Sequence, residues 1–187
     1  DGYFVLPYTI GDYLSDEIST GPIANDSEEF ITAEREAKQK LDTLINNNGS
    51  KSVDYFHKKL GKIMWNKCGM ARNKMDLESA IQEISKLRKE FWKDVKVPGD
   101  QNEFNEELAK AGRVADFLEL GELFAKDALE REESCGGHFR EEYQTKEGEA
   151  TRKKEFQFVS AWEYVGEPKN AILHKEKLEY ENIEVKE

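Results

Sequence analysis

The sequence predicts a mainly α-helical protein: an antiparallel three-helix bundle, similar to a spectrin repeat, with flanking helices and a carboxy-terminal extension resembling a β-hairpin. Three observations support this fold class. Apolar residues recur at steps of three and four over most of the 187-residue chain, short turn-forming links separate these segments, and a two-residue alternation follows near the carboxy terminus. With 37% hydrophobic and 36% charged residues, the chain can bury a moderate core under a densely charged surface.

The first predicted long helix follows a capping box in which Asp26 is the N-cap and Glu29 is the reciprocal partner. It ends at the asparagine- and glycine-rich residues 46–49. Three further helices are predicted, over about residues 52–67, 76–95 and 103–133. Because the links between them are short, these three helices are expected to run antiparallel and to share one core.

The carboxy-terminal extension is predicted to form the β-hairpin. Four aromatic side chains fall on a two-residue period: Phe156, Phe158, Trp162 and Tyr164. Residues 166–170 form a predicted turn, and residues 172–180 form the predicted partner strand. Because an isolated hairpin is marginal in water, we expect this one to pack on the bundle or on another domain.

Charge and composition exclude some classes of protein. A net charge of -11 argues against nucleic-acid binding, which needs a basic face to neutralise phosphates. No apolar run approaches the ~20 residues of a membrane span, so direct membrane insertion is not expected. Two cysteines, Cys68 and Cys135, are too few for a disulfide framework and favour a reducing compartment.

The amino terminus begins Asp1-Gly2 and is apolar from Tyr3 onward, whereas a native terminus is usually polar and frayed. We interpret it as a normally buried segment whose preceding part has been removed; a processed native terminus is the alternative. Pro7 is compatible with the first turn of a short helix. Turn-forming residues between Gly11 and Ser27 discourage a continuous helix and predict a linker.

Histidine and cysteine are the natural candidates for catalysis or metal binding. His57 lies in an apolar helix stripe and is expected to be a packed or boundary side chain, whereas His174 lies in a charged strand without a nearby His or Cys at ligand spacing. Cys135 and His138 are three residues apart, so a cysteine hydrolase or thiol enzyme is one hypothesis. Such a pair normally comes from distant segments, and a zinc site would need further ligands. We therefore assign no catalytic residue and no metal ligand.

The most distinctive segment is Glu133-Ser134-Cys135-Gly136-Gly137-His138-Phe139-Arg140, which is predicted to close the long helix. Gly136 suits the left-handed C′ position, so the segment is interpreted as a sharp exit that delivers His138 and Arg140 to a neighbouring surface. A phosphate-binding loop is not favoured, because such loops precede a helix and use its positive end.

Residues 131–143, Arg-Glu-Glu-Ser-Cys-Gly-Gly-His-Phe-Arg-Glu-Glu-Tyr, resemble the Arg-x-Glu-Ser-Arg-Gly-x-His-x-Arg motif of the succinate dehydrogenase and fumarate reductase flavoprotein subunits. In that family the motif ends the long helix of the carboxy-terminal helical domain. Other stretches are also similar to the family: residues 1–14, 61–65, 69–73 and 116–128. Cys135 departs from the pattern, because most members carry Arg there, and the tail after Phe156 is longer and more strand-like than expected.

The resemblance implies a parent enzyme that interconverts succinate and fumarate through FAD. It implies partners as well: an FAD-binding domain in the same chain, a separate iron–sulfur subunit, and a membrane anchor, at the cytoplasmic, inner face of the cell membrane. In the family the flavin-binding and substrate-binding residues lie upstream of this segment, so no cofactor-binding residue is assigned and no cofactor is expected in the fragment alone. Five residues are carried over as motif positions at the interface with the FAD domain: Glu133, Ser134, Gly136, His138 and Arg140.

The resulting domain prediction has four parts: a remnant of the FAD domain, a linker with a connecting helix, the three-helix domain and the hairpin tail, over residues 1–17, 18–50, 51–143 and 144–187. A carboxy-terminal domain of L-aspartate oxidase, which shares the motif, is an alternative. A stand-alone acidic helical interaction module is another.

Overall fold

The structure is a computed structural model, and it describes residues 2–17, 21–22, 24–100 and 102–182. The chain divides after Lys40 into two units, which are described separately. The first holds helix α1 (Val5–Tyr13) and most of helix α2 (Glu28–Asn46). Pro7 lies in the first turn of α1 as predicted, but the helix continues through Gly11, where a break was expected. The predicted linker includes residues 18–20 and 23, which lie outside the described residues.

In the first unit, α1 buries none of its residues; Tyr3, Phe4 and Tyr8 are all largely exposed. Helix α2 begins one residue later than the predicted capping box requires. The backbone N–H of Ile31 donates to the carbonyl of Ser27, so Ser27 rather than Asp26 occupies the cap position. Hydrogen bonds from the Glu29 backbone and from Ser27 lower the pKa of the Glu29 carboxyl. The capping box with Asp26 and Glu29 is therefore wrong by one position.

The predicted three-helix bundle is confirmed in the second unit, where α3 (Val53–Cys68), α4 (Lys74–Asp94) and α5 (Glu106–Glu130) each pack against the other two. Each helix begins at a polar residue whose side chain accepts a backbone N–H of the first turn: Ser52, Asn73 and Asn105. These caps set the three starting points that the apolar periodicity alone located only approximately.

The core lies between these three helices. Its largest side chains are an edge-to-face pair, Phe56 and Phe91, whose ring centroids are 5.2 Å apart. Gly121 permits close packing of α5 on α3, because a Cβ at this position would lie 3.4 Å from both Leu60 Cδ1 and Met64 Sδ. Leucine, isoleucine, valine and alanine side chains fill the remaining volume, so the bundle is held mainly by apolar burial.

A short parallel pair of strands, β1 (Lys51–Ser52) and β2 (Val95–Lys96), joins the start of α3 to the end of α4 and was not predicted. Gly49 makes this approach possible, since a Cβ there would lie 2.1 Å from the carbonyl carbon of Asp94. The Asp94 carboxylate accepts bonds from the backbone and hydroxyl of Ser50.

The predicted hairpin consists of antiparallel strands β3 (Phe158–Glu163) and β4 (Ile172–Lys177), paired from Phe158↔Lys177 to Glu163↔Ile172. Alternate residues of β3 are partly buried, as the two-residue period predicts. The hairpin packs on α5: the Lys126 ammonium donates to three carbonyls of residues 168–171, and Trp162 Nε1 donates to Asp127 at 2.7 Å. In the part of the chain that the structure describes, no helix has both the length and the apolar character needed to cross a bilayer.

Candidate functional site in the loop after α5

The candidate site is the segment after α5, residues 131–143, hereafter the motif loop. Helix α5 ends at Glu130 with Arg131 as its C-cap, so the expectation that Glu133 ends the helix and Gly136 is its C′ glycine is wrong. The physical reason lies further along the chain. Arg140 returns to the end of α5 and satisfies the terminal carbonyls, so the helix needs no left-handed glycine.

Gly136 and Gly137 instead form the centre of a tight turn. Cys135 and His138 exchange two backbone hydrogen bonds, of 2.8 and 3.0 Å. Gly136 has a φ of +58°, whereas the φ of Gly137 is not positive. This combination is typical of a type II′ hairpin turn. Both glycines are exposed, so the turn projects from the surface.

Ser134 clamps the base of this turn. The side chain is fully buried, and its hydroxyl accepts the N–H of Arg140 at 2.9 Å while donating to the carbonyl of the same residue at 3.1 Å. The Ser134 N–H donates to the carbonyl of Thr151. A single hydroxyl thus satisfies two buried backbone groups, which would otherwise carry a desolvation penalty.

Arg140 is 1% exposed and closes the end of α5 from inside the protein. Its Nη1 donates to the carbonyls of Ala128 and Leu129 at 3.0 and 3.2 Å, and Nε donates to Glu142 at 3.1 Å. A cation at a helix carboxy terminus also opposes the negative end of the helix dipole. Arg140 is therefore committed within the chain and is not presented on its surface.

Glu133, 3% exposed, links the motif loop to the tail. One carboxylate oxygen accepts from Arg131, and the other accepts the Lys153 N–H at 2.8 Å. The Arg131 guanidinium also donates to the carbonyl of Phe156. The loop and the tail that follows it are consequently held as one structure.

His138 connects the ends of two helices. Its Nδ1 lies 2.8 Å from Arg72 Nη1, and its Nε2 lies 2.9 Å from the carbonyl of Arg131. Because a guanidinium can only donate, Nδ1 must accept, and the proton must be on Nε2. Burial lowers the pKa of His138, and the nearby arginines add to this effect although the bond to the Arg131 carbonyl opposes it, so the neutral form is favoured. Arg72 in turn donates to the last carbonyls of α3, at Cys68 and Gly69.

This geometry argues against a Cys135/His138 nucleophilic pair. Both ring nitrogens of His138 already have partners, so neither is available as a base for the Cys135 thiol. Of the other histidines, His57 is exposed with its ring 6.1 Å from that of Phe117, and His174 pairs with Glu163 at the hairpin surface. Among the described residues, no group of three or more His, Cys, Asp or Glu side chains could hold a metal ion.

The described residues do not fit the phosphates of a dinucleotide cofactor. The amino termini of α3, α4 and α5 are each occupied by their own capping side chain, and the glycine pair follows a helix rather than preceding one. No residue in the described part of the chain is therefore assigned to flavin binding.

A second buried charge was not predicted: Glu122 is 1% exposed in the middle of α5. Its carboxylate lies 3.3 Å from Arg88 Nε of α4, yet both its oxygens and that nitrogen have no hydrogen-bond partner. Burial is the main cause of the raised pKa of Glu122. Arg88 also pairs with Glu167 of the tail at 2.6 Å. A signal was present in the sequence, because Glu122 lies four residues after Leu118 and three before Ala125 on the apolar stripe.

The protein therefore contains a helical domain in which the motif loop, through arginine side chains, holds together the carboxy-terminal ends of α3 and α5 and the tail. Residues 57–187 match the family described as "Fumarate reductase flavoprotein C-term". The chain belongs to this family, so the resemblance found in the sequence is confirmed. The match continues through the hairpin tail, so the expectation that the tail departs from the family is wrong.

Characterised relatives support the same assignment. The chain is 26% identical over 139 residues to the fumarate reductase flavoprotein subunit of Haemophilus influenzae, a match that covers 74% of this chain. It is 29% identical over 130 residues to a chain of the fumarate reductase (CoM/CoB) of Methanothermobacter marburgensis, a match that covers 66% of this chain. In both cases the match covers only 23% of the relative, so the chain spans about a quarter of these proteins.

Solved structures share the fold. An Escherichia coli quinol fumarate reductase with a mutated FrdA chain aligns with a TM-score of 0.74 at 21% identity, over 93% of this chain and 29% of that one. The Sdh1 complex of Mycobacterium smegmatis in the apo form aligns with a TM-score of 0.70 at 22% identity, over 89% of this chain and 27% of that one. The predicted mainly α fold class is thereby confirmed.

Proposed function

We propose that this chain is the carboxy-terminal helical domain of a flavoprotein subunit that interconverts succinate and fumarate through FAD. The observation that carries the proposal is the family match over residues 57–187, which includes the whole motif loop. In this proposal the domain serves as a structural and docking part of the flavoprotein, and the reacting groups belong to the FAD-binding domain. Residues 1–17 would then be the end of that domain, and residues 18–50 the connection to the bundle.

The parent flavoprotein would pass electrons to an iron–sulfur subunit, which would deliver them through a membrane anchor to quinone. It would lie on the cytoplasmic face of the cell membrane. The names of a relative and a structural neighbour, a fumarate reductase flavoprotein subunit and a quinol fumarate reductase, support an enzyme of several subunits, and the family resemblance implies the iron–sulfur subunit and the membrane anchor. The direction of the reaction depends on cofactor potentials, which belong to parts of the enzyme beyond this domain.

Within this proposal, the motif loop faces the FAD domain through its exposed turn. Glu133, Ser134 and Arg140 are buried and hold the loop in shape, whereas Gly136 is exposed and His138 is partly exposed. Cys135, also partly exposed, occupies the motif position at which the family pattern has Arg. The two sets of residues therefore have different proposed roles: the first supports the loop, and the second contacts the partner.

The proposal is tested by comparing the chain with the protein encoded by the full coding sequence. The purified chain should be colourless and should not oxidise succinate with an artificial electron acceptor. The full-length protein should carry flavin and perform the reaction. A yellow preparation of the 187-residue chain with stoichiometric flavin would contradict the division of roles. A coding sequence without an upstream dinucleotide-binding fingerprint would instead favour the stand-alone interaction module.

A further inference from the structure

The turn of the carboxy-terminal hairpin, residues 167–171, is held on the bundle by two cations. Arg88 of α4 donates through Nη2 to the Glu167 carboxylate at 2.6 Å. Lys126 of α5 donates to three carbonyls of residues 168–171 at 3.0–3.3 Å. The attachment of the hairpin therefore depends in part on which group the Arg88 guanidinium binds.

A second carboxylate competes for Arg88. The Nε of this guanidinium lies 3.3 Å from Glu122 Oε2 of α5, while its Nη2 binds Glu167. In the described part of the chain, neither that Nε nor either carboxylate oxygen of Glu122 has a hydrogen-bond partner. The side chains of Arg88 and Glu122 are 13% and 2% exposed, so little water reaches the pair. One buried cation thus faces two carboxylates and cannot neutralise both.

The hairpin turn lies over Glu122. Glu122 and Lys126 are four residues apart on α5, so they occupy the same face of the helix. Because Lys126 and Arg88 both bind residues 167–171, the turn lies against the face that carries Glu122. Movement of the turn away from α5 would admit water to this carboxyl and would leave Arg88 to Glu122 alone.

We propose that Glu122, Arg88 and Glu167 form a proton-dependent latch, which holds the hairpin on the bundle while Glu122 is neutral and weakens when Glu122 ionises. A neutral Glu122 leaves the guanidinium to Glu167. An ionised Glu122 attracts the guanidinium and repels Glu167, and both effects favour release of the turn. The coupling is reciprocal: because docking of the turn disfavours ionisation of Glu122, ionisation disfavours docking by the same factor.

Other charged groups near the latch do not remove this competition. Lys89 of α4 attracts both carboxylates, so it does not favour one over the other. One further acidic and one further basic group act on the latch, Glu119 of α5 and Lys169 of the tail. Helix α3 contributes apolar side chains where it packs on α5 beside Glu122: Leu60 and Met64. The state of the latch is therefore set mainly by its own three side chains.

The pKa values of the two carboxyls shift in opposite directions. Burial raises the pKa of Glu122, although Arg88 opposes the shift, and Glu167 adds to it. The bond to Arg88 lowers the pKa of Glu167. Docking of the hairpin should therefore be strongest between the lowered pKa of Glu167 and the raised pKa of Glu122. It should weaken as pH rises through the raised pKa, because the docked state binds the proton more tightly than the released state.

Amide hydrogen exchange of the 187-residue chain tests the latch, with mass spectrometry as the readout and a correction for the pH dependence of intrinsic exchange. Peptides from β3 and β4 should be less protected than peptides from α4 at every pH, because the hairpin opens without unfolding of the bundle. Between about pH 5 and about pH 8, hairpin protection should fall at least about fivefold, the lower end of typical coupling between sites.

Three variants assign the effect to the latch. Glu122→Gln cannot ionise, so the hairpin should stay protected across the pH range. Glu106→Gln is the matched control, since it neutralises an exposed carboxyl in the first turn of α5, and it should behave like the wild type. Glu167→Gln removes the competing carboxylate, so hairpin protection should already be low at about pH 5 and should change less with pH.

A second measurement does not depend on exchange. NMR titration of the Glu122 carboxyl carbon should give a lower pKa in Glu167→Gln than in the wild type, because the coupling acts in both directions. An unchanged pKa of Glu122 in this variant would overturn the inference.

Three exchange results would also overturn it. Equal protection of the hairpin and α4 would mean that the hairpin opens only when the whole bundle unfolds. Hairpin protection that is constant with pH in the wild type would show that no proton controls docking. A pH dependence that persists in Glu122→Gln would assign the control to another group.

Discussion

Two buried charged groups lie along α5, and they differ in how their hydrogen bonds are satisfied. Arg140, at the carboxy-terminal end of the helix, bonds two helix carbonyls and Glu142. Glu122, in the middle of the helix, lies 3.3 Å from Arg88 without a hydrogen bond to either carboxylate oxygen. Both side chains are 1% exposed. Burial alone is therefore a poor guide to the importance of a charge, because the satisfied group supports its neighbours and the unsatisfied group strains them.

The largest expected effect is at Arg140. Arg140→Met keeps the aliphatic stem but leaves the carbonyls of Ala128 and Leu129 buried without this donor, and it separates Glu142 from its cation. We expect the free energy of unfolding to fall by about 2–5 kcal/mol, because each buried carbonyl left without a donor costs about 1–3 kcal/mol, whereas water can replace the partner of the exposed Glu142. Urea denaturation followed by circular dichroism measures this change.

Arg113→Met is the control, because it removes an arginine that is exposed on α5, the helix that Arg140 caps. It should change stability by less than about 0.5 kcal/mol. Arg140→Lys should recover only part of the loss, since an ammonium cannot reproduce the planar fork that reaches several acceptors. A loss below about 1 kcal/mol in Arg140→Met would mean that water replaces the guanidinium, and the distinction between the two clusters would fail.

Ser134 tests the same cluster through a neutral group. Ser134→Ala removes the hydroxyl that serves both the N–H and the carbonyl of Arg140, and the site is fully buried. We expect a loss of about 1–3 kcal/mol in the free energy of unfolding, the penalty for leaving buried polar groups unsatisfied. Ser15→Ala removes a comparable hydroxyl–carbonyl bond at an exposed site, where water replaces it, so its effect should be much smaller. Equal losses in the two variants would contradict the clamp role of Ser134.

The two glycines of the turn provide an internally matched prediction. Neither would place a Cβ against another atom, but only Gly136 has a positive φ, of +58°. Gly136→Ala should therefore lower the free energy of unfolding by about 1–2 kcal/mol through left-handed strain. Gly137→Ala should be close to neutral. A larger loss at Gly137 would show that the turn is not of type II′.

The sequence predicted the parts of this fold that depend on local periodicity. The apolar steps located α3, α4 and α5, and the two-residue period located the hairpin. The end of α5 was placed too late because the group that caps it, Arg140, comes from beyond the turn, and such a contact is invisible to a local pattern. The roles of Arg72 and His138 were missed for the same reason, since they join the ends of two helices far apart in sequence.

Glu122 shows which part of a buried ion pair can be predicted from the sequence and which part cannot. Its place on the apolar stripe of α5 was readable in the sequence, but its partner Arg88 depends on the register between α4 and α5. Apolar periodicity identifies the buried face of each helix, but it does not determine how two helices are aligned along their axes. The motif itself was identified from its residues, whereas the division between its buried and exposed members needed the structure.

The smallest expected effect is at Glu122, and its sign is opposite to that at Arg140. Burial raises the pKa of this carboxyl above its ordinary 4.5, even though Arg88 opposes the shift and Glu167 adds to it. Between pH 4.5 and the raised pKa, the folded state binds more protons than the unfolded state, so the free energy of unfolding falls as pH rises. Glu122→Gln removes this dependence and leaves Arg88 paired with Glu167. At pH 7 the variant should be as stable as the wild type or about 1 kcal/mol more stable, and the difference should shrink toward low pH.

Urea titrations of the wild type and of Glu122→Gln across this pH range measure the difference in the free energy of unfolding. Glu133→Gln is the contrasting variant: Glu133 accepts bonds from both Arg131 and Lys153, so this substitution should lower stability. A Glu122→Gln variant that loses more than about 1 kcal/mol at pH 7 would show that the Arg88–Glu122 pair stabilises the bundle, and the two clusters would then be alike.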